Sequence, residues 1–158
     1  MILHAVYNKE LIFALLKFKF PQMKIIKNLF ILIAEDDEDD STFILESFKK
    51  HPLFSKVEVL KNGKEVLNYL NDDSKRKPDL ILTDLNMPVM NGLELLKEIF
   101  NHHEFKQICT FAYSTSCSLI YQKKCVDLGA IAFLQKPSDI INFNTIPQKI
   151  ITLLSKTA

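Results

Sequence analysis

Pro78-Asp79-Leu80-Ile81-Leu82-Thr83-Asp84-Leu85-Asn86-Met87-Pro88-Val89-Met90-Asn91-Gly92 is the stretch that decides the fold. The apolar run Leu80 to Leu82 is bounded by Pro78 on one side and a loop on the other, and it has the length of a buried strand. Asp84 follows at once. A carboxylate at the carboxyl end of a buried strand lies where open α/β sheets bind ligands. Met87-Pro88 and Asn91-Gly92 read as turns, and a new apolar period begins at Leu93. Strand, acid, stiff loop and helix in that order mark a site.

The flanking sequence repeats the pattern. Leu29 to Ala34 is a continuous apolar run, a first buried strand ended by the acidic run Glu35 to Asp40. Phe43, Ile44, Leu45 and Phe48 give a helical face up to about Lys50. Val57 and Val59 alternate with charged residues in a short second strand, and Asn62-Gly63 turns the chain. Val66, Leu67 and Leu70 mark a second helix, and a polar loop covers Asn71 to Lys77. The central strand spans Asp79 to Thr83. Leu93, Leu96 and Phe100 give a third helix, and Ile108 to Tyr113 a fourth strand. Tyr121, Cys125 and Leu128 give a fourth helix, closed by Gly129. Ala130 to Leu134 is a short fifth strand. Ile146, Ile150, Leu153 and Leu154 form the last helix, with Pro147 in its first turn, where proline is tolerated. Five strands alternating with five helices imply a parallel sheet with helices on both faces.

The 158 residues suit one domain with a real core. A formal net charge of +1 gives no strong pull on nucleic acid or anionic membrane. Cys109, Cys117 and Cys125 have no metal-ligand spacing and read as reduced thiols of a cytosolic protein. Residues 1–27 fit the rest poorly. Lys9, Glu10, Lys17 and Lys19 interrupt their apolar residues, so no stretch spans a bilayer and none reads as a signal peptide. Leu11, Leu15 and Phe18 share helical spacing before Pro21. Three readings stay open: a dispensable extension, a membrane-surface or partner helix, or upstream sequence with Met23 as the native start.

Placing polar residues at the strand ends assembles the chemistry. Strand one ends in Glu35, Asp36 and Asp37, strand three in Asp84, strand four in Ser114 and Thr115, strand five in Lys136 before Pro137. All four clusters meet on one edge of the sheet. Clustered carboxylates repel unless a counter-charge is present. Mg²⁺ meets that need, because it takes oxygen ligands and often binds one or two carboxylates plus a phosphoryl group. Lys136 adds a point charge suited to a phosphoryl oxygen. Together these make a phosphoryl-transfer site with a carboxylate nucleophile.

From Leu29 to Lys156 the chain resembles a response-regulator receiver domain of two-component signalling. The resemblance rests on Ala34-Glu35-Asp36-Asp37, on Thr83-Asp84-Leu85-Asn86-Met87-Pro88 with Asn91-Gly92, on Ser114-Thr115-Ser116, and on Lys136-Pro137. It is most similar to stand-alone, chemotaxis-regulator-like receivers. The resemblance implies a flavodoxin-like (βα)5 doubly wound parallel sheet of strand order 2-1-3-4-5. It divides the chain into an extension, 1–27, and a receiver domain, 28–158. It implies that Asp84 is the phosphorylation site, that Asp36 ligates Mg²⁺ directly and Glu35 through water, and that the backbone carbonyl of Asn86 is a further ligand. Ser114 becomes the switch hydroxyl, Lys136 the phosphoryl-binding lysine and Phe133 the switch aromatic. Ser in place of Thr at 114 and Phe in place of Tyr at 133 are the less common choices. The implied partners are a sensor histidine kinase or a histidine phosphotransfer protein and an unidentified downstream protein. Direct DNA binding and membrane contact are not expected, and the expected location is the cytoplasm.

Simpler readings stand beside these. Asp84 and Ser114 suit helix caps, Lys136 a surface lysine, and Phe133 ordinary core. Asp37 to Asp40 read as a solvated helix start favoured by the helix dipole rather than as extra ligands. His102 and His103 read as exposed cations at the end of the third helix. A hydrolase of the haloacid-dehalogenase type needs a second Asp two residues after the nucleophile as general acid, and Asn86 stands there. A flavodoxin-like binder of FMN needs a Ser/Thr/Gly-rich loop where the acidic run lies. A degenerate receiver acting only as a binding module conflicts with the complete set of acids, hydroxyl and lysine. The expected role is therefore a phospho-accepting switch rather than an enzyme, limited to its own phosphorylation and dephosphorylation.

Overall fold

A computed structural model describes residues 28–116 and 118–156, without the side chains of residues 155 and 156. The readings of residues 1–27 and Cys117 lie outside the described residues. The elements in order are β1 (Leu29–Ala34), α1 (Glu38–Lys50), β2 (Phe54–Leu60), α2 (Gly63–Asn71), β3 (Leu80–Asp84) and α3 (Gly92–Asn101). A 3₁₀ turn (Phe105–Gln107), β4 (Cys109–Ser114), α4 (Leu119–Asp127), β5 (Ala132–Gln135), the single-turn α5 (Ile140–Phe143) and α6 (Ile146–Lys156) follow. The strands form one parallel sheet of order β2-β1-β3-β4-β5, the flavodoxin-like order expected. β1 and β3 lie inside the sheet with every residue buried, which is why β1 reads as an unbroken apolar run and β3 as one from Leu80 to Leu82.

Alternation sends successive side chains to opposite faces. Leu29, Ile31 and Ile33 join Leu80, Leu82, Phe111 and Tyr113 under α1 and α6, contacting Ile44, Phe48, Ile146 and Ile150. Phe30, Leu32, Ala34 and Ile81 face α2 and α3, meeting Val66, Leu70, Leu95 and Ile99. A smaller cluster of Leu85, Leu96, Ala112, Cys125 and Ala130 packs α3 and α4 on that same face. No helix among the described residues is long and apolar enough to cross a membrane.

The differences from the sequence reading are local. Asn62-Gly63 and Asn91-Gly92 are helix starts rather than free turns. Asn62 caps α2 and Asn91 caps α3, the latter in a full capping box with Glu94. The fifth strand begins at Ala132 instead of Ala130, because Gly129, with φ +86, and Ala130 still bond back to the end of α4. A helical turn at Ile140–Phe143, capped by Asp139, precedes the last helix. It is too short to show an apolar period.

Candidate functional site at the carboxyl edge of the sheet

The site is a set of strand ends. β1 delivers Glu35 one residue beyond its last pairing position, β3 ends on Asp84, β4 ends on Ser114, and Lys136 follows β5. Glu35, Asp84, Ser114 and Lys136 are all buried. A backbone bond from the Lys136 N–H to the Ser114 carbonyl, 2.8 Å, ties the last two together. The approach of α3 keeps the loop after β3 tight. A Cβ on Gly92 would lie 2.2 Å from the Asp84 carbonyl oxygen, so only glycine fits there. Between them, Val89 takes φ +66, and Met90 N–H donates to the Pro88 carbonyl at 2.7 Å. That is a γ-turn around a β-branched residue, a strained conformation.

Lys136 is the hub. Its Nζ lies 2.8 Å from Glu35 Oε2, 2.8 Å from Asp40 Oδ2 and 3.2 Å from Asp84 Oδ2. The buried Tyr113 phenol donates to Glu35 Oε2, and its ring lies 5.3 Å from the ammonium. Glu35 Oε1 accepts from Lys136 at 3.0 Å and from the Asp37 N–H at 3.2 Å. Both oxygens of Glu35 are thus fully engaged. Asp84 Oδ1 accepts from the N–H groups of Leu85, 2.6 Å, and Asn86, 3.3 Å. Ser114 Oγ accepts from Asn86 Nδ2 and from the Ser116 N–H, both at 3.3 Å.

Burial and pairing pull on these charges in opposite senses. Burial raises the Glu35 carboxyl above its usual range, against the lowering pull of Lys136 and Tyr113. Burial, reinforced by the Glu35 charge, pushes the Tyr113 phenol well above ordinary tyrosine. Burial disfavours the charged lysine, but the hydrogen bonds to Asp40 and Glu35 and the charges of Glu35 and Asp84 outweigh it. Lys136 is held above the ordinary lysine value.

Glu35, Asp36 and Asp84 each offer a carboxylate oxygen, and these atoms lie within 4.8 Å of one another. An all-oxygen donor set of this kind suits a hard divalent cation. Since Lys136, Tyr113 and Asp37 already occupy Glu35, Asp36 and Asp84 have the free lone pairs. Phe133 stands apart from this cluster. It is half-buried against the group of Leu85, Leu96, Ala112, Cys125 and Ala130, paired across the sheet with Ala112.

Two residues of the site were not singled out in the sequence. Tyr113 reads there as a strand residue, and no pattern reveals that its hydroxyl meets a carboxylate. Asp40 lies in a run of which one member, Asp37, caps the helix, accepting from the N–H groups of Asp39 and Asp40, both at 3.0 Å. Asp40 itself turns to Lys136.

The model of the family described as response regulator receiver domain matches residues 31–146. A rice protein, two-component response regulator-like PRR37, is 33% identical over 120 residues, which are 75% of this chain and 15% of that one. The protein-glutamate methylesterase/protein-glutamine glutaminase of Geobacillus kaustophilus is 27% identical over 119 residues, 75% of this chain and 33% of that protein. The chain therefore spans a third or less of these curated relatives. Among solved structures, the phosphorylated cyanobacterial phytochrome response regulator RcpA superposes with TM-score 0.75 at 27% identity, covering 83% of this chain and 96% of that one. The Mn²⁺-bound form of response regulator Rcp1 gives TM-score 0.73 at 25% identity, covering 82% and 96%.

Proposed function

Because the chain belongs to the response regulator receiver domain family, we propose that it accepts a phosphoryl group on Asp84 and switches conformation to control the binding of a partner protein. The donor is a phosphohistidine on a sensor histidine kinase or a histidine phosphotransfer protein. In the transfer, an Asp84 carboxylate oxygen bonds to phosphorus, the phosphorus–nitrogen bond breaks, and the leaving imidazole takes a proton from solvent. The observation that carries this reading is the meeting of Lys136 with Asp84 and Glu35 at the carboxyl edge of the sheet.

Each residue has a task. Leu85 and Asn86 N–H groups orient Asp84. Lys136 neutralises the charge that accumulates on the transferred group. Asp36 and Asp84, with the backbone carbonyl of Asn86, would hold Mg²⁺, and Glu35, whose oxygens are taken by Lys136, Tyr113 and the Asp37 N–H, would add negative charge beside it. Bound there, Mg²⁺ supplies positive charge to the phosphoryl oxygens. The Ser114 hydroxyl, now an acceptor from Asn86 and Ser116, turns to donate to the phosphoryl group. That draws the loop after β4 inward and makes room for Phe133 to bury its remaining surface. The changed surface spans α4, β5 and α6. The acidic set together with the lysine favours this reading over a binding-only receiver.

The test is intact-mass spectrometry after incubation with acetyl phosphate and Mg²⁺. The parent gains one phosphate and Asp84→Asn gains none. An adduct that survives in Asp84→Asn refutes the assignment.

A further inference from the structure

Asp40 makes a contact that its place in an acidic helix start does not explain. It lies in the first turn of α1 beside Asp39. Its Oδ2 is as close to Lys136 Nζ, at 2.8 Å, as Glu35 is, and closer than Asp84 at 3.2 Å. An ammonium group has three N–H donors, and four carboxylate oxygens compete for them: both of Glu35, Oδ2 of Asp40 and Oδ2 of Asp84. The pair is sheltered, with the Lys136 side chain 5% exposed and that of Asp40 27% exposed. Asp39 carries the same charge one residue away and is exposed.

We propose that Asp40 is a positioning residue that withholds one Lys136 donor from the phosphoryl group and so limits the stability of the phosphorylated state. The inference rests on the function proposed above. Formation of the acyl phosphate removes the carboxylate charge of Asp84 and puts strong phosphoryl acceptors in its place. Lys136 keeps Glu35, which Tyr113 and the Asp37 N–H hold in place. Two donors remain. With Asp40 bound, one of them reaches the phosphoryl group. With Asp40 replaced by its neutral isostere, both do, because charged acceptors outcompete an amide.

Beryllofluoride binding to the full chain at saturating Mg²⁺, followed by fluorine NMR, measures this directly. The parent binds and Asp84→Asn does not. Asp40→Asn tightens the parent affinity about three- to tenfold, the size of a partly sheltered ion-pair effect. Asp39→Asn, which removes the same charge without touching Lys136, changes it by less than about twofold. The difference between the two variants persists at high salt, which screens distant charges far more than sheltered contacts. General damage to the fold would weaken binding, so tightening in Asp40→Asn alone supports the tether. Equal effects in the two variants, or weaker binding in Asp40→Asn, overturn it while the function stands. A parent that does not bind, or an Asp84→Asn variant that does, overturns the function and this inference with it.

Discussion

The two edges of the same sheet treat charge in opposite ways. At the carboxyl edge, Lys136 and Glu35 are buried together, with side-chain exposures of 5% and 0%. At the amino edge, the cations sit on aromatic rings and keep one side in water. Lys56 pairs with Glu58 at 2.8 Å with the two side chains 38% and 36% exposed, and its Nζ lies 4.2 Å from the centre of the Phe30 ring. Arg76 pairs with Asp79 at 3.0 Å and donates to the Asn28 carbonyl. Exposed pairs cost little and gain little. Buried charges carry a desolvation penalty that their mutual attraction only partly offsets. A fold that needed only stability would fill the carboxyl edge with apolar side chains. The difference teaches where this chain accepts an energetic cost, and cost at one defined edge is the physical mark of a site.

The contrast breaks first at its two lysines. Lys136→Met leaves Glu35, Asp40 and Asp84 without their shared cation and is expected to cost about 3–5 kcal/mol in urea unfolding. Lys56→Met is expected to leave the unfolding midpoint near the parent's. Similar losses for both would show that the two edges are energetically alike. Strain at the functional edge sharpens the contrast at the next scale. Val89→Gly relieves the positive φ of the γ-turn and should stabilise the protein by about 1 kcal/mol, strain relief outweighing the flexibility added to the unfolded chain. A loss of stability would mean that the exposed Val89 side chain has a contact that matters more than its backbone.

The smallest effect is the titration of Tyr113. Its folded pKa is raised above the ordinary value of 10.0, so the folded state holds the phenolic proton more tightly than the unfolded chain. The stability this contributes is complete below the unfolded value and is lost as pH rises beyond it. Alkaline titration followed at the tyrosinate band should therefore leave the Tyr113 phenol un-ionised until the protein unfolds, so that its contribution appears as a late step missing from Tyr113→Phe. The same late step in both proteins, with Tyr113 ionising while the chain is still folded, would contradict the buried bond to Glu35.

The strands of the sheet's interior were legible in the sequence because burial on both faces writes an unbroken apolar run, as in Leu29 to Ala34. The edge strand β2 was read from Val57 and Val59 alone, while it extends over Phe54–Leu60. Its partly exposed residues do not carry that signal. Glu35, Asp36, Asp84, Ser114 and Lys136 were legible because a strand's end is a place that sequence can name. Asn62 and Asn91 were seen as turn residues and proved to be caps, since both roles use the same side chains. Asp40 was read as solvated. Which face of a helix meets a lysine from a distant loop is set by tertiary packing, and spacing within an acidic run carries no record of it. Tyr113 was hidden for the opposite reason: an aromatic residue inside a strand is indistinguishable from core until its hydroxyl finds a partner.

The most direct measurement is a comparison of backbone amide chemical shifts with and without beryllofluoride and Mg²⁺. The account predicts large changes at Glu35 to Asp40, Asp84 to Asn86, Ser114, Thr115 and Lys136, extending to Phe133, with Lys56, Tyr69 and Arg76 at the amino edge unmoved. Changes centred on the amino edge, or none at Asp84 and Lys136, would contradict the assignment of the carboxyl edge as the site of phosphorylation.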